Sequence, residues 1–348
     1  MKVLLVGSNF HNYVNSFAEA FERNGCEVKV YMPKVYWELS TLGRIHFKYT
    51  TLKRKLLKQS QQVYVKPKRI REKESENVWQ VYETFEPDLV VDFSSYFLET
   101  SVLKKMNRSK NIIWIYDSVK RLPHLKNKYE YYDYVYYFEG SDSAYFDKNG
   151  IKSSFLPLCA DDKVYHPVNE KKNIDISFVG NLSDQRIRFL LNIKENFPES
   201  VFKVYGRVPL FYTKLNPNGK SVKKYSDMFL NQYIAPQDAN KLYAKSKICI
   251  NVHNGQTKFG ANMRLFEIMA AKGFQIVDHN DYIASQFENC VVTYRNENEL
   301  IDIIKYYLEH DDERNVISEA GYRKVFESEL FYHRAKQIIF DALGGKGQ

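Results

Sequence analysis

No run of apolar residues in this chain approaches the roughly 18 that a membrane-spanning helix needs. The opening Met1-Lys2-Val3-Leu4-Leu5-Val6-Gly7 is too short for a secretory leader and lacks a small-residue cleavage site. It reads as a buried strand, and the chain as cytoplasmic, with peripheral contact to a membrane left open. Four cysteines, Cys26, Cys159, Cys249 and Cys290, share no C-x-x-C spacing, which argues against a zinc ribbon and a disulfide framework. Three of them sit in or beside apolar stretches and read as buried thiols. No two aspartates stand two positions apart, so the chain has no D-x-D pair, and no cluster of histidines and acids suggests a metal centre. Gly7 has no second glycine at G-x-G spacing, which removes the dinucleotide fingerprint.

What is present points to a globular protein of two domains, the default for 348 residues with 44% hydrophobic and 27% charged positions. The net charge of +9 is concentrated: residues 44–73 hold eleven Lys or Arg and one acid, Glu72. Such a segment would meet an anionic membrane surface, where each basic group contributes about 1 kcal/mol, or a polyanionic acceptor. A solvated helix pair is the plainer alternative.

Short apolar strands alternate with helical segments throughout. In the first half the strands are Val3–Val6, Glu27–Tyr31, Leu89–Asp92, Asn111–Tyr116, Tyr134–Phe138 and Ser154–Leu158, with helices over Tyr13–Asn24 and Leu98–Met106. A second series has strands Ile174–Val179, Val201–Tyr205, Ile248–Val252, Gln275–Val277 and Val291–Thr293. Its helices run over Ile187–Asn196, Asp238–Ala244, Asn262–Lys272 and Glu297–Glu309. This alternation predicts two α/β domains, each a doubly wound parallel sheet. The expected division is residues 1–168, with a basic insertion at about 44–73, then 169–328, then a terminal helix over 329–343. Ligands of such sheets bind beyond the carboxyl ends of the strands.

The densest constellation is Asn262-Met263-Arg264-Leu265-Phe266-Glu267, followed by Gly273. Asn262 is a natural N-cap, and Arg264 and Glu267, three apart, share a helix face. A helix N-terminus attracts phosphate, and a carboxylate one turn deeper can accept from ribose hydroxyls. A surface ion pair is the alternative. After other strands stand Gly180-Asn181 with Arg186, Gly206-Arg207, and His253 with Lys258 further along its loop. In the first half Asp117 follows a strand, and Gly7-Ser8-Asn9 with His11 follows the first. Six tyrosines between Tyr129 and Phe138 offer either an aromatic platform or ordinary half-buried strand faces.

The segment Asn262-x-Arg264-Leu265-Phe266-Glu267, an apolar run and Gly273 resembles the donor-site segment of two-domain GT-B glycosyltransferases, and most closely their spore-maturation-protein branch. Phe178-Val179-Gly180 with Arg186, and Leu156-Pro157-x-x-Ala160-Asp161 with Tyr165-x-Pro167, match further parts of that pattern. The resemblance implies two Rossmann-like domains facing a cleft, and a C-terminal helix crossing back to the first. It also implies a nucleoside diphosphate sugar donor, with uridine and guanosine both open and no cofactor. Glu267 would bind ribose, and Arg264 and Arg186 the diphosphate. Gly180, Asn181, Gly206, Arg207, His253, Lys258, Asn262, Leu265 and Phe266 would line the donor side. Gly7, Ser8 and Asn9 would stand on the acceptor side, with Asp117 and His11 as catalytic candidates. Where the retaining branch carries a second Glu, eight residues before the ribose-binding one, this chain has Phe259. The expected activity is metal-independent transfer of a sugar to an acceptor hydroxyl. A nucleotide-sugar epimerase of the same fold and a non-catalytic polyanion- or nucleic-acid-binding protein are the alternatives.

Overall fold

A computed structural model describes residues 1–9, 12–33, 41–56, 67–93, 97–209, 218–255 and 257–344. His11 and residues 57–66 of the basic segment lie outside them. The chain divides into two units. One holds Met1–Pro157, a short piece at Lys258 and the C-terminal stretch from Phe331; the other holds Leu158–Gly255 and Phe259–Leu330. No helix among the described residues is long and apolar enough to cross a membrane.

The strands of the first unit are β1 (Lys2–Gly7), β2 (Glu27–Tyr31), β3 (Leu89–Phe93), β4 (Lys110–Ile115), β5 (Tyr134–Tyr137) and β6 (Ser153–Phe155). They lie in the order β2-β1-β3-β4-β5-β6, every neighbour parallel. β1, β3 and β4 are buried almost end to end, which their Val, Leu and Ile runs permit and a sheet covered on both faces demands. β6 stops at Phe155, short of the Leu158 expected from sequence: the Leu156 N–H still donates to the Tyr137 carbonyl at 2.9 Å, but the Leu156 carbonyl accepts from Trp114 Nε1 at 3.0 Å instead of continuing the ladder.

The strands of the second unit are β7 (Ile174–Val179), β8 (Phe202–Tyr205), β9 (Ser246–Asn251), β10 (Gln275–Asp278) and β11 (Val292–Tyr294). Their order is β11-β10-β9-β7-β8, again all parallel. Numbered within its own unit, this sheet runs 2-1-3-4-5, and the first unit's sheet begins the same way. Each therefore reverses its winding beside its first strand and leaves a crevice at the carboxyl ends of strands one and three. In the second unit that crevice lies between β7 and β9.

Two further features depart from the sequence reading. The helix Asp311–Ser328 was not expected, because its buried positions are Arg314, Ser318, Gly321 and Val325, a helical period with hardly an apolar side chain. It packs on the helix Met263–Ala270 at Gly321, where a Cβ would stand 2.9 Å from the Cys290 carbonyl oxygen and 3.0 Å from Met269 Cγ. Of the cysteines, Cys159 and Cys249 are buried while Cys26 and Cys290 are only half-buried, so two thiols rather than three are core.

The C-terminal helix Phe331–Ala342 joins the first unit, as the resemblance implies. Its Phe331 ring meets Tyr13 and Phe17 of the helix Tyr13–Arg23 at 5.1 and 4.9 Å. Arg334 Nε donates to the Pro157 carbonyl at 2.9 Å, and the Tyr136 hydroxyl donates to Asp341. In the tyrosine-rich run Tyr129, Tyr132, Tyr136 and Tyr137 are buried, so most of those rings serve the core.

Candidate functional site

The helix Met263–Ala270 starts beside the end of β9, and a set of amides fixes it there. Asn262 Oδ1 accepts from the Leu265 N–H at 3.1 Å, and Asn262 Nδ2 donates to Asn251 Oδ1 at 2.8 Å. Asn251 Nδ2 donates to Gln275 Oε1 at 3.1 Å, and Gln275 Nε2 returns to the Leu265 carbonyl at 2.9 Å. Asn251 and Gln275 are buried, and a fully bonded buried amide network holds one geometry. Leu265 and Phe266, named with the donor segment, are wholly buried. They root the helix in the core and leave no side-chain atom open to a ligand.

Arg186 reaches this helix start from the other side of the crevice. Its Nη2 donates to the Val252 carbonyl at 2.8 Å and its Nη1 to the Asn181 carbonyl at 3.0 Å. Burial first, and then the positive charge of Arg264, push the Arg186 guanidinium below its ordinary pKa. Among the described residues neither arginine forms an ion pair, and Arg264 Nε is buried without a hydrogen-bond partner. Two mutually repelling guanidiniums beside a helix N-terminus are an arrangement chemically suited to an anion. The glycines are structural requirements of the same place. A Cβ on Gly206 would stand 2.0 Å from the Gly180 carbonyl oxygen, so the loops after β7 and β8 touch backbone to backbone. Arg207, next along, is exposed and stacks over Tyr233 at 4.9 Å.

One turn into the helix Glu267 is only 8% exposed. Burial raises its carboxyl pKa, opposed by Arg264 and by the hydroxyls of Tyr165 and Tyr243. The Arg264–Glu267 relation expected from i,i+3 spacing is thus electrostatic rather than a contact pair. The rings of Tyr165 and Tyr243 stack at 6.3 Å, and Tyr243's buried hydroxyl makes no full hydrogen bond of its own.

His253 brings in a residue the sequence reading missed. Asp278 Oδ1, at the end of β10, accepts from the His253 backbone N–H at 2.8 Å and lies 2.8 Å from its Nδ1. That pairing assigns a proton to Nδ1. Nε2 is buried without a hydrogen-bond partner among the described residues. An acid at a strand's carboxyl end was the available signal, the same one that drew attention to Asp117. Phe259 is half exposed and packs against Tyr282 at 5.7 Å.

Not every expected residue joins this place. Lys258 groups with the first unit, where its backbone N–H donates to Glu139 Oε2 at 2.9 Å while its side chain is exposed. Glu139 is wholly buried just beyond β5 and was also missed. Asp117 follows β4 and pairs with Arg121 at 2.5 Å. Gly7 ends β1 where a Cβ would meet Phe93 Cβ at 2.8 Å. Ser8 follows, and Asn9 Nδ2 donates to Asn12 Oδ1 at 3.2 Å. Asn12 adopts φ 64°, a left-handed conformation that asparagine tolerates. Among the described residues no group of three or more His, Cys, Asp or Glu could hold a metal ion.

Comparison with known proteins bears on the fold and on the stretch of chain that holds these residues. A glycosyl transferase-like family matches residues 185–339. No curated protein sequence matches the chain. Among solved structures it is similar to sucrose-phosphate synthase from Thermosynechococcus elongatus, at 13% identity over 99% of both chains with a TM-score of 0.67. A glycosyltransferase from Rickettsia africae gives 13% identity over 99% of both chains and a TM-score of 0.65. HepE of Anabaena, in complex with UDP and glucose, gives 13% identity over 99% of this chain and 100% of that one, with a TM-score of 0.63. At such identities the likeness is one of fold. The segment bearing Arg186, Arg264 and Glu267 is similar to the glycosyl transferase-like family, and the chain as a whole shares the two-domain α/β fold of the GT-B glycosyltransferases.

Proposed function

We propose that the protein is a metal-independent glycosyltransferase, akin by motif to the spore-maturation-protein branch. It takes a sugar from a nucleoside diphosphate sugar held on the second unit and passes it to an acceptor hydroxyl. The observation that carries this reading is the buried, unpartnered Arg264 Nε beside Arg186 at a capped helix start. A diphosphate would supply the missing acceptors, and the same guanidiniums would stabilise it as the leaving group. Glu267 would accept from the ribose hydroxyls, and the buried, unpartnered His253 Nε2 lies in the same layer of strand ends. Arg207 is a secondary contact.

HepE holds UDP with glucose in one structure and UDP-glucose in another, so UDP-glucose is the first donor to test. The acceptor is a hydroxyl of a glycan, lipid, protein or modified nucleic-acid base, met by the first unit. There Asp117 or His11 would serve as base if the reaction inverts. Residues 44–73 would face an anionic acceptor or membrane surface. Calorimetry with UDP and UDP-glucose on Arg264→Ala and Glu267→Ala is the test. Each variant should bind at least about tenfold more weakly, about 1.4 kcal/mol, with its melting temperature near that of the parent. Unchanged affinity in both would overturn the donor site.

A further inference from the structure

The helix Thr41–Leu56 in the first unit carries Leu42, Ile45, Tyr49 and Leu52. At about 100° per residue these four fall within an arc of about 80°. In the folded chain they are 58–79% exposed. On the same helical wheel Lys48 and Lys53 border the two sides of this stripe, with Arg44 beyond Lys48, and all three are exposed. The helix contains no acid. An apolar stripe on a helix is ordinarily turned into the core; one left outward and rimmed by charge marks a surface that is covered by something else.

We propose that this helix lies in the interface of an anionic lipid bilayer, with the stripe between the headgroups and the lysines on their phosphates. A bilayer surface satisfies both halves of the pattern at once. A nucleic acid or acidic polymer would use the lysines but gain little from Leu42, Ile45 and Leu52. A second copy of the chain would set two strongly basic segments against each other, eleven Lys or Arg and one acid in residues 44–73 of each. This inference rests on the basic segment's reading as an anionic contact and is independent of sugar transfer.

Flotation of the full chain with vesicles tests it, using phosphatidylcholine alone and phosphatidylcholine mixed with phosphatidylglycerol. The parent should float with the mixed vesicles and not with the neutral ones. Combined Leu42→Ser, Ile45→Ser and Leu52→Ser should weaken binding at least about tenfold, and so should combined Lys48→Gln and Lys53→Gln. Melting temperature and donor affinity should be unchanged in both. The emission of Tyr49→Trp should shift to the blue on mixed vesicles only. A parent that ignores mixed vesicles would overturn the proposal. So would a serine variant that binds as well as the parent, which would leave a purely ionic contact, or a concentration-dependent dimer that the serine variant abolishes. If lipid binding holds while no nucleotide binds, the sugar-transfer reading falls and this one stands.

Discussion

Arg186 donates to the carbonyl of Val252 at 2.8 Å, so one side chain ties the loop after β7 to the loop after β9 at the point where the sheet reverses its winding. Its other terminal nitrogen holds the Asn181 carbonyl at 3.0 Å. The planar fork is thereby fixed before any ligand arrives, and preorganised donors lose less on binding.

Arg186→Lys separates shape from charge. The ammonium keeps the positive charge but cannot span both carbonyls in a plane. The substitution should lower stability by about 1 kcal/mol for the lost hydrogen bonds. It should weaken UDP binding by about tenfold, or 1.4 kcal/mol, measured by calorimetry at fixed salt. Parental affinity in the lysine variant would show that charge alone is used.

Glu267 links the site to pH. Burial raises its carboxyl above the ordinary 4.5, so the folded chain holds that proton more tightly than the unfolded one. For an acid shifted upward, stability falls as pH rises from 4.5 through the folded value, and below 4.5 the penalty is absent. Glu267→Gln should therefore raise the melting temperature at neutral pH, with the gain shrinking as pH falls toward 4.5. The same variant should bind nucleotide less tightly. Parental affinity should decline as the carboxylate protonates. Melting curves between about pH 4 and pH 8 would contradict this if the variant's gain grew toward acid.

Asp278 acts through His253. Asp278→Ala removes the acceptor for both the backbone N–H and Nδ1 of His253, and leaving such buried donors unmet costs about 1–3 kcal/mol. The ring should lose its fixed orientation, with kcat/KM falling at least about tenfold. Asp278→Asn keeps an oxygen in place and should restore most of the stability and activity. An alanine variant with parental melting temperature and turnover would deny Asp278 this positioning role.

The sheets were legible because their strands are short Val, Leu and Ile runs, and the site helix because Asn262 caps it. What escaped depends on contacts that sequence spacing does not carry. Asn251 and Gln275 meet across neighbouring strands 24 residues apart, and Asp278 reaches His253 across 25. Tyr165 and Tyr243 come to Glu267 from separate segments. The helix Asp311–Ser328 hides its period because Arg314, Ser318 and Gly321 occupy its buried face. Leu265 and Phe266 show the converse hazard. Neighbours in a helical motif point in different directions, so a motif that names the site also names its foundations.

The arrangement of charge yields a last expectation, on metal dependence. A diphosphate at the start of the helix Met263–Ala270 would meet Arg186, Arg264 and free backbone N–H groups, while the chain has no D-x-D pair to recruit a divalent cation. Turnover of UDP-glucose should therefore persist in excess chelator, with kcat/KM within about twofold of the untreated enzyme, a change of roughly 0.4 kcal/mol in the barrier. Arg264→Ala should lose activity equally with and without chelator, because the charge it removes is the protein's own. Activity that disappears in chelator and returns with magnesium or manganese would place a cation on the leaving group and reduce the arginines to supporting contacts.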